Sequence, residues 1–220
     1  KLILLKFLTM SSVIKKNYIS KIKLVNALSS ISKISRYNKV EILFWIFLDS
    51  NRVFDYKEFL ESIPKNKKVG IILRTKKNKN NYNSSKCIKK ICKKKSFKLL
   101  IADNLNLAYS IAADGVHFSK NVHYSRTLKN KLISCSCHGY KDKRRIMNLN
   151  AKHVFISPIY VTSSDTSKKP LGLIRISLLA NYINKQYSVL GGVNKNNITN
   201  LRNRGIRSVA GLEYLSSLSC

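Results

Sequence analysis

In this 220-residue sequence, several successive apolar runs are each followed by charged, hydroxyl-bearing or glycine residues. Arginine, lysine and hydroxyl side chains bind oxyanions such as phosphate, and glycine lets backbone N–H groups approach the same anion. Aspartate is an oxygen ligand for hard cations, and histidine transfers protons near neutral pH. Together these residue types predict a phosphate-binding site. Those at or near the ends of apolar runs are Asp49, Arg74, Lys76, Asp103, His117, Ser136, His138, Thr162, Ser164, Gly191, Gly192 and Gly211.

The most informative stretch is residues 154–172, which read V-F-I-S-P-I-Y-V-T-S-S-D-T-S-K-K-P-L-G. Its first part is apolar without alternation, which is typical of a strand buried on both faces. After Pro158 the chain offers a run of hydroxyls, followed by Lys168 and Lys169, and this combination suits an oxyanion. The alternative interpretation is an ordinary solvated loop.

The histidines and the glycine pair each have a structural and a functional interpretation. His117 lies inside a predicted strand, so we expect it to be a core histidine. His138 lies past a predicted strand end, where either an ordinary surface role or proton transfer fits. Gly191 and Gly192 form either a simple tight turn or a phosphate-binding turn, and the second is favoured if the fold is a barrel.

Eight predicted strands alternate with predicted helices, and this alternation calls for a parallel sheet. In a chain of this length it favours a single (β/α)8 TIM barrel, with its site at the carboxyl ends of the strands. The runner-up is a doubly wound open sheet, although no G-x-G-x-x-G follows the first strand. The predicted strands cover residues 41–49, 68–74, 98–102, 116–118, 131–135, 154–156, 187–193 and 206–211. The predicted helices cover residues 21–36, 56–63, 86–98, 104–113, 141–149, 172–183 and 195–204.

We divide the chain into an N-terminal extension with a leading helix, residues 1–40, and a barrel, residues 41–220. The first ten residues contain a short apolar run without a signal-peptide cleavage site. We therefore expect no signal peptide, and Met10 or a later position is an alternative start. No segment approaches the ~18 apolar residues of a membrane span.

The sequence is strongly basic, with 42 Lys+Arg against 10 Asp+Glu and a formal net charge of +32. Such a charge suits a nucleic-acid or anionic-membrane partner. However, the lysines are spread along the chain together with abundant Asn, Ile and Ser, a pattern that biased codon usage also produces. The basic run at 86–98 is most simply the solvated face of a surface helix, so we expect no nucleic-acid partner and no membrane partner.

Five cysteines lack the paired spacing of a zinc site. Cys135 and Cys137 fall at a predicted buried strand, where free thiols behave as small apolar residues. The simplest account is a reduced, cytoplasmic protein.

Several motifs in order carry a family resemblance. They are L-L-I-A-D-N-L-N-L-A-Y-S-I-A-A-D-G-V-H, S-C-S-C-H, V-F-I-S-P-I-Y-V-T-S-S with K-P-L-G, V-L-G-G-V and G-I-R-S-V-A-G-L. Together they resemble the thiamine phosphate synthase/TenI family over about residues 43–215. The resemblance implies a TIM barrel. For the synthase it implies coupling of hydroxymethylpyrimidine diphosphate to thiazole phosphate, with Mg2+ and release of pyrophosphate; the TenI branch includes a thiazole tautomerase.

The resemblance assigns roles to individual residues. Arg74 and Lys76 match the family's substrate-binding Gln-x-Arg-x-Lys, in which Ile72 replaces the Gln. Asp103 matches one metal-ligating Asp, while the second falls at about Val122, which cannot bind Mg2+. We therefore expect Mg2+ to have only one of its two usual Asp ligands. The residues that match the family's catalytic and phosphate-binding positions are Ser136, His138, Thr162, Ser164, Gly191, Gly192 and, by position after the last strand, Gly211.

The diphosphate clamp is where the sequence departs furthest from the family. Thr162 and Ser164 keep two hydroxyls, but Asp165 replaces the clamp Lys, and Lys168 is the candidate to compensate. This change and the missing Asp weaken the case for the synthase reaction. By contrast, the phosphate end of the thiazole site is better matched, and His138 as a proton carrier fits a TenI-like tautomerase.

Three hypotheses of different classes follow. The chain is an enzyme acting on phosphorylated pyrimidine and thiazole substrates, a non-catalytic barrel that binds a phosphorylated thiamine precursor, or a nucleic-acid-binding protein acting through residues 89–95. The sequence leaves open whether an enzyme would be a synthase or a tautomerase, and it leaves the oligomeric state open.

Overall fold

The computed structural model describes residues 44–49, 56–75, 82–120, 128, 130–162, 169–194 and 196–211. The predicted N-terminal extension and leading helix therefore lie outside the described residues. Five residues of the expected site also lie outside the described residues, namely Lys76, Val122, Ser164, Asp165 and Lys168.

Eight parallel strands form a closed barrel in which each strand pairs with its neighbours in chain order. The closed ladder confirms the (β/α)8 barrel and excludes the open doubly wound sheet. The strands are β1 Phe44–Asp49, β2 Val69–Arg74, β3 Lys98–Ala102, β4 Gly115–Phe118, β5 Leu132–Cys137, β6 His153–Ile156, β7 Gln186–Leu190 and β8 Val209–Ala210.

Helices cover the outside of this barrel. They are α1 Tyr56–Ser62, α2 Tyr82–Lys95, α3 Leu105–Ser110, α4 Lys143–Asn148, α5 Gly172–Ile183 and α6 Ile198–Asn203, with a short 3-10 helix at Tyr140–Asp142. In α2 the buried side chains include Ile88, Ile91 and Cys92, whereas Lys93 and Lys94 are exposed. The basic run is thus a solvated helix face, as predicted. No helix in the described part of the chain is long and apolar enough to span a membrane.

The strands read as nearly continuous apolar runs because both of their faces are buried. Alternate side chains of β1, such as Trp45 and Phe47, fill the barrel interior with Phe155, Ile72 and Leu100. The other face of each strand packs under the helices, and Cys135 and Cys137 belong to that outer layer. Burial raises the pKa of Cys135 to about 12 and that of Cys137 to about 11, so both thiols stay protonated.

Three predicted strand ends within the described residues differ from the structure by two positions or more. β7 ends at Leu190, before the glycine pair that the prediction included in the range 187–193. β5 continues past Cys135 to Cys137 because β6 goes on pairing with it, with Ser136 opposite Phe155. Ser136 therefore lies within the strand, not after it as predicted. β8 is shorter than the predicted 206–211, because only Val209 and Ala210 pair with β1 and β7.

The barrel interior also holds two buried histidines, each hydrogen-bonded to a serine hydroxyl. His117 Nδ1 lies 3.0 Å from Ser134 Oγ, and His153 Nε2 lies 2.8 Å from Ser188 Oγ. Burial, with Arg74 as the next contribution, lowers the pKa of His117 to about 3, and burial lowers the pKa of His153 to about 4. Both rings are therefore neutral at pH 7, which confirms His117 as a core histidine.

These two histidines predict an acid-sensitive fold. The unfolded chain binds protons at these positions below about pH 6.5, whereas the folded chain does so only near pH 3–4. The contribution of the two histidines to the free energy of unfolding is therefore fully present above about pH 6.5. It falls as the pH drops, by up to about 1.4 kcal/mol per pH unit for each histidine. We expect His153→Gln to reduce the slope of unfolding free energy against pH between pH 6 and 4.5. Urea titrations at several pH values measure this slope, and an unchanged slope would contradict the assignment.

At the start of β4, the packing around Gly115 leaves no room for a side chain. A Cβ there would overlap the Leu132 carbonyl oxygen and lie 2.8 Å from Leu100 Cδ2. We expect Gly115→Ala to lower the free energy of unfolding by about 2–3 kcal/mol, because the neighbouring backbone must move. Gly139→Ala is the matched control, since its φ of 171° is extended and nothing lies within 4 Å of its Cβ position. Equal unfolding curves for the two variants would show the prediction wrong.

Candidate functional site at the carboxyl rim of the barrel

The carboxyl ends of β1 and β2 place an acid and a base side by side. Asp49 and Arg74 are paired in the ladder, and Arg74 Nη1 lies 3.7 Å from Asp49 Oδ2. The Arg74 guanidinium also stands 4.9 Å from the centre of the Phe47 ring, while half of its side chain is exposed. Arg74 is thus held at the rim and can still reach an anion.

Asp103, just past β3, is tied to the end of β4. Its N–H donates to the His117 carbonyl at 2.9 Å, and its Oδ1 accepts the Ser119 N–H at 2.7 Å. Asp103 has a left-handed φ of 54°, which turns the chain sharply after the strand. Its side chain is nevertheless exposed at the rim, where one carboxylate oxygen is held by the protein.

Ser136 points into the top of the barrel from β5. Its Oγ lies 3.3 Å from His117 Nε2, and the same ring contacts Ser134 Oγ through Nδ1. Phe47 and Phe155 stand edge-on to the His117 ring, with centroids 5.4 Å and 5.2 Å away. A neutral, packed imidazole therefore fixes the Ser136 hydroxyl from below.

His138 lies just beyond β5 and is held at two points. Its backbone N–H donates to Asp142 Oδ2 at 2.7 Å, and its ring nitrogen Nδ1 lies 2.9 Å from the Ser157 carbonyl oxygen. Because a carbonyl oxygen only accepts hydrogen bonds, Nδ1 carries the proton. The neutral ring then has its lone pair on Nε2, which forms no hydrogen bond with any described residue.

The loop after β6 lies directly on the turn after β7. Ile159 N–H donates to the Leu190 carbonyl at 3.0 Å, and Tyr160 N–H donates to the Gly191 carbonyl at 3.1 Å. A Cβ on Gly191 would lie 2.9 Å from Pro158 Cα and 3.1 Å from Thr162 Cγ2. The structure therefore brings Thr162, predicted for the diphosphate clamp, against Gly191, predicted for the thiazole phosphate.

Gly192 is constrained in the same way. Its φ of 67° is left-handed, and a Cβ there would overlap the Val161 carbonyl oxygen. Its carbonyl accepts the Asn197 side-chain amide at 2.8 Å, and Asn197 Oδ1 accepts the Asn194 N–H at 2.9 Å. Among the described residues, none accepts a hydrogen bond from the N–H of Gly192, whereas the pairing of Leu190 with Ala210 directs the Gly191 N–H toward β8.

Gly211 sits at the end of β8 and is buried. Its N–H donates to the Trp45 carbonyl at 3.1 Å. That donor is used to close the barrel, so any contact between Gly211 and a phosphate would have to involve another part of the residue.

Four residues that the sequence did not single out take part in the site. Asn197 fixes the glycine turn, Ser157 orients the His138 ring, and Asp142 and Arg145 hold the loop after β5. The pattern G-G-x-N-x-x-N at 191–197 was a readable signal for Asn197. The contact of Ser157 with His138 joins positions 19 residues apart, and that of Arg145 with Ser119 joins positions 26 apart, so neither leaves a local sequence pattern.

The rim has one described residue that fits a Mg2+ ligand. Asp103 presents an exposed carboxylate, whereas Asp49 is paired with Arg74. The described residues contain no group of three or more His, Cys, Asp or Glu side chains that could hold a metal ion. Mg2+ commonly binds through one or two carboxylates with substrate phosphates, so a single Asp fits an ion that is completed by a diphosphate.

Comparison with known proteins connects this rim to one family. Residues 47–215 match the family model described as thiamine monophosphate synthase. A thiamine-phosphate synthase of Prochlorococcus marinus is 30% identical over 128 residues, which cover 56% of this chain and 36% of the relative. The chain thus matches only about a third of the length of that protein. A putative thiamine-phosphate synthase of Aquifex aeolicus is 27% identical over 165 residues, covering 71% of this chain and 89% of the relative.

The solved structure of thiamine phosphate pyrophosphorylase from Pyrococcus furiosus has the same fold, with a TM-score of 0.66 at 16% identity. The match covers 81% of this chain and 92% of that structure. The family model spans most of the barrel, including every rim residue described above. The chain therefore belongs to the thiamine phosphate synthase/TenI family, as a divergent member.

Proposed function

We propose that the chain is a thiamine phosphate synthase-like transferase. In this reaction the bond between the pyrimidine methylene carbon and the diphosphate oxygen breaks, the thiazole nitrogen bonds to that carbon, and pyrophosphate leaves. The observation that carries the proposal is the turn at Gly191 and Gly192, packed against Thr162, on the same rim as Arg74, Asp103 and Ser136.

The glycine turn suits the phosphate of a thiazole phosphate. Both glycine carbonyls accept protein donors, from Tyr160 and Asn197, so the carbonyl dipoles are directed away from an incoming anion. The Gly192 N–H has no described acceptor, and backbone N–H groups near glycines in such turns bind phosphate. No side chain could be added at Gly192 without displacing the loop after β6.

The diphosphate would lie beside Arg74 and Asp103 on the same rim. Arg74 supplies positive charge there, and Asp103 would hold Mg2+ together with diphosphate oxygens. When bound, the ion neutralises negative charge on the departing pyrophosphate. Lys76, Ser164 and Lys168 lie outside the described residues, and their proposed role is to complete this diphosphate clamp.

Ser136 has the position of a substrate-orienting group in this proposal. Its hydroxyl is fixed by the neutral His117 ring beneath it and faces the rim from inside the strand. A hydroxyl held in one direction costs little reorganisation when charge develops in the transition state. We propose that Ser136 donates a hydrogen bond to the pyrimidine diphosphate.

Coupling activity tests the proposal directly. Purified protein with hydroxymethylpyrimidine diphosphate, thiazole phosphate and Mg2+ should form thiamine phosphate and an equal amount of pyrophosphate, measured by mass spectrometry. We expect Gly192→Ala to raise KM for thiazole phosphate about tenfold or more, which is a loss of about 1.4 kcal/mol or more of binding free energy. The reason is that the added Cβ displaces the phosphate turn.

Gly205→Ala is the matched control for this variant. Gly205 also has a positive φ, of 77°, but nothing lies within 4 Å of its Cβ position. Both variants carry the same backbone strain, and only Gly192→Ala disturbs the turn. Equal KM values for the two variants would contradict the phosphate assignment. Binding of thiazole phosphate without any turnover would instead support the non-catalytic barrel.

A thiazole tautomerase is the second candidate, and the geometry of His138 favours it. The Ser157 carbonyl holds the proton on Nδ1 and leaves Nε2 as the basic nitrogen at the rim. A group of this kind can remove a proton from one atom of a substrate and return it to another.

This candidate makes a separate prediction for His138→Gln. The variant should lose tautomerisation of the thiazole phosphate by about 10²-fold or more, the usual contribution of a general acid–base group, while coupling changes much less. NMR of the thiazole ring in D2O measures the proton exchange. Lys141→Gln, an exposed neighbour, is the control. If wild-type protein exchanges no ring proton, the tautomerase candidate is wrong.

A further inference from the structure

Arg145, on α4, lies beneath the end of β5 and the loop that follows β4, with only a tenth of its side chain exposed. Its Nη1 donates to the Ser119 carbonyl at 3.2 Å, and its Nη2 donates to the Ser136 carbonyl. Nη2 also lies 3.7 Å from Asp142 Oδ1. One guanidinium thus contacts three segments of the rim.

Each contact of Arg145 leads within one hydrogen bond to a residue of the proposed site. Ser119 donates its N–H to the Asp103 carboxylate at 2.7 Å. Asp142 accepts the His138 N–H at 2.7 Å through its other oxygen. Ser136 is itself the residue whose carbonyl Arg145 binds.

Keeping Arg145 in this place is costly to the fold. A buried charge loses its hydration, and the only acidic partner among the described residues is Asp142, at 3.7 Å. Its Nε is buried and has no hydrogen-bond partner among the described residues. An apolar side chain of similar length would avoid these costs, so stability alone does not account for an arginine here.

We infer that Arg145 is a positioning residue that sets the spacing of Asp103, Ser136 and His138, an inference that rests on the proposed function. Its planar fork sends two N–H groups to two different carbonyls, one at Ser136 in β5 and one at Ser119, in the loop that follows the neighbouring strand β4. The ammonium of a lysine has no such fixed fork, so it would hold the two carbonyls less well. Arg145 touches no group proposed to bind thiazole phosphate.

Two measurements test this role with Arg145→Met and the neighbouring Arg144→Met, whose side chain is exposed on the same helix. The first is the coupling assay. We expect Arg145→Met to lower kcat about 10- to 100-fold, because small displacements of reacting groups have effects of this size. KM for thiazole phosphate should change less than threefold, because the glycine turn is built from other loops, and Arg144→Met should match wild type.

The second measurement does not depend on activity. The backbone amide signals of Ser119 and His138 should move in the 1H–15N NMR spectrum of Arg145→Met and stay in place in Arg144→Met. If Arg145→Met does not fold, Arg145→Lys replaces it, with the same signals expected to move and kcat expected to fall. Added methylguanidinium should partly restore kcat to folded Arg145→Ala, because it can refill the space left by the side chain.

The results separate the two proposals. Unmoved Ser119 and His138 signals in folded Arg145 variants would overturn the positioning role, whatever the activity. An unchanged kcat in an active enzyme would do the same. If wild-type protein shows no coupling at all, the proposed function fails, and the amide signals still decide whether Arg145 holds the rim together.

Discussion

Closure of the barrel depends on a ladder of two residue pairs, Phe44 with Val209 and Trp45 with Ala210. The Gly211 N–H adds one more bond to the Trp45 carbonyl. Without this short seam β1 and β8 would be the two free edges of an open sheet, and the loops after β1 and β7 would not share a rim. The large Trp45 ring fills the interior beside the seam, and Gly70 is required opposite it because a Cβ there would overlap the ring. The site is therefore a consequence of how the last short strand meets the first.

The chain is strongly positive, and three aspartates at the rim each make an ion pair or a hydrogen bond. Asp49 pairs with Arg74, Asp103 accepts the Ser119 N–H, and Asp142 fixes His138. In a protein of formal net charge +32, these carboxylates tie the loops together, while the surrounding charge favours anionic ligands. In the proposed function the glycine turn adds binding of another kind, because the Gly192 N–H and the close packing of the turn would recognise a phosphate by shape.

The sequence predicted the barrel well because strands buried on both faces form unbroken apolar runs, and β3 and α5 have the predicted bounds. The end of β5 was wrong because pairing with β6, a long-range interaction, extends the strand to Cys137. Local patterns placed Thr162 in a loop and Gly191 near the end of the predicted strand 187–193, and the structure brings them together. Arg145 could not be recognised, because its partners lie up to 26 positions away and nothing near it in the sequence marks it as buried. The match to the family spans most of this barrel.

The central claim is that this rim performs the coupling step that yields thiamine phosphate. Complementation of a thiamine auxotroph that lacks its own thiamine phosphate synthase tests it most directly, with protein levels checked in the same cells. We predict that expression of this chain restores growth without added thiamine, and that expression of its Asp103→Ala variant does not. Absence of growth in cells that contain soluble, folded wild-type protein would contradict the account.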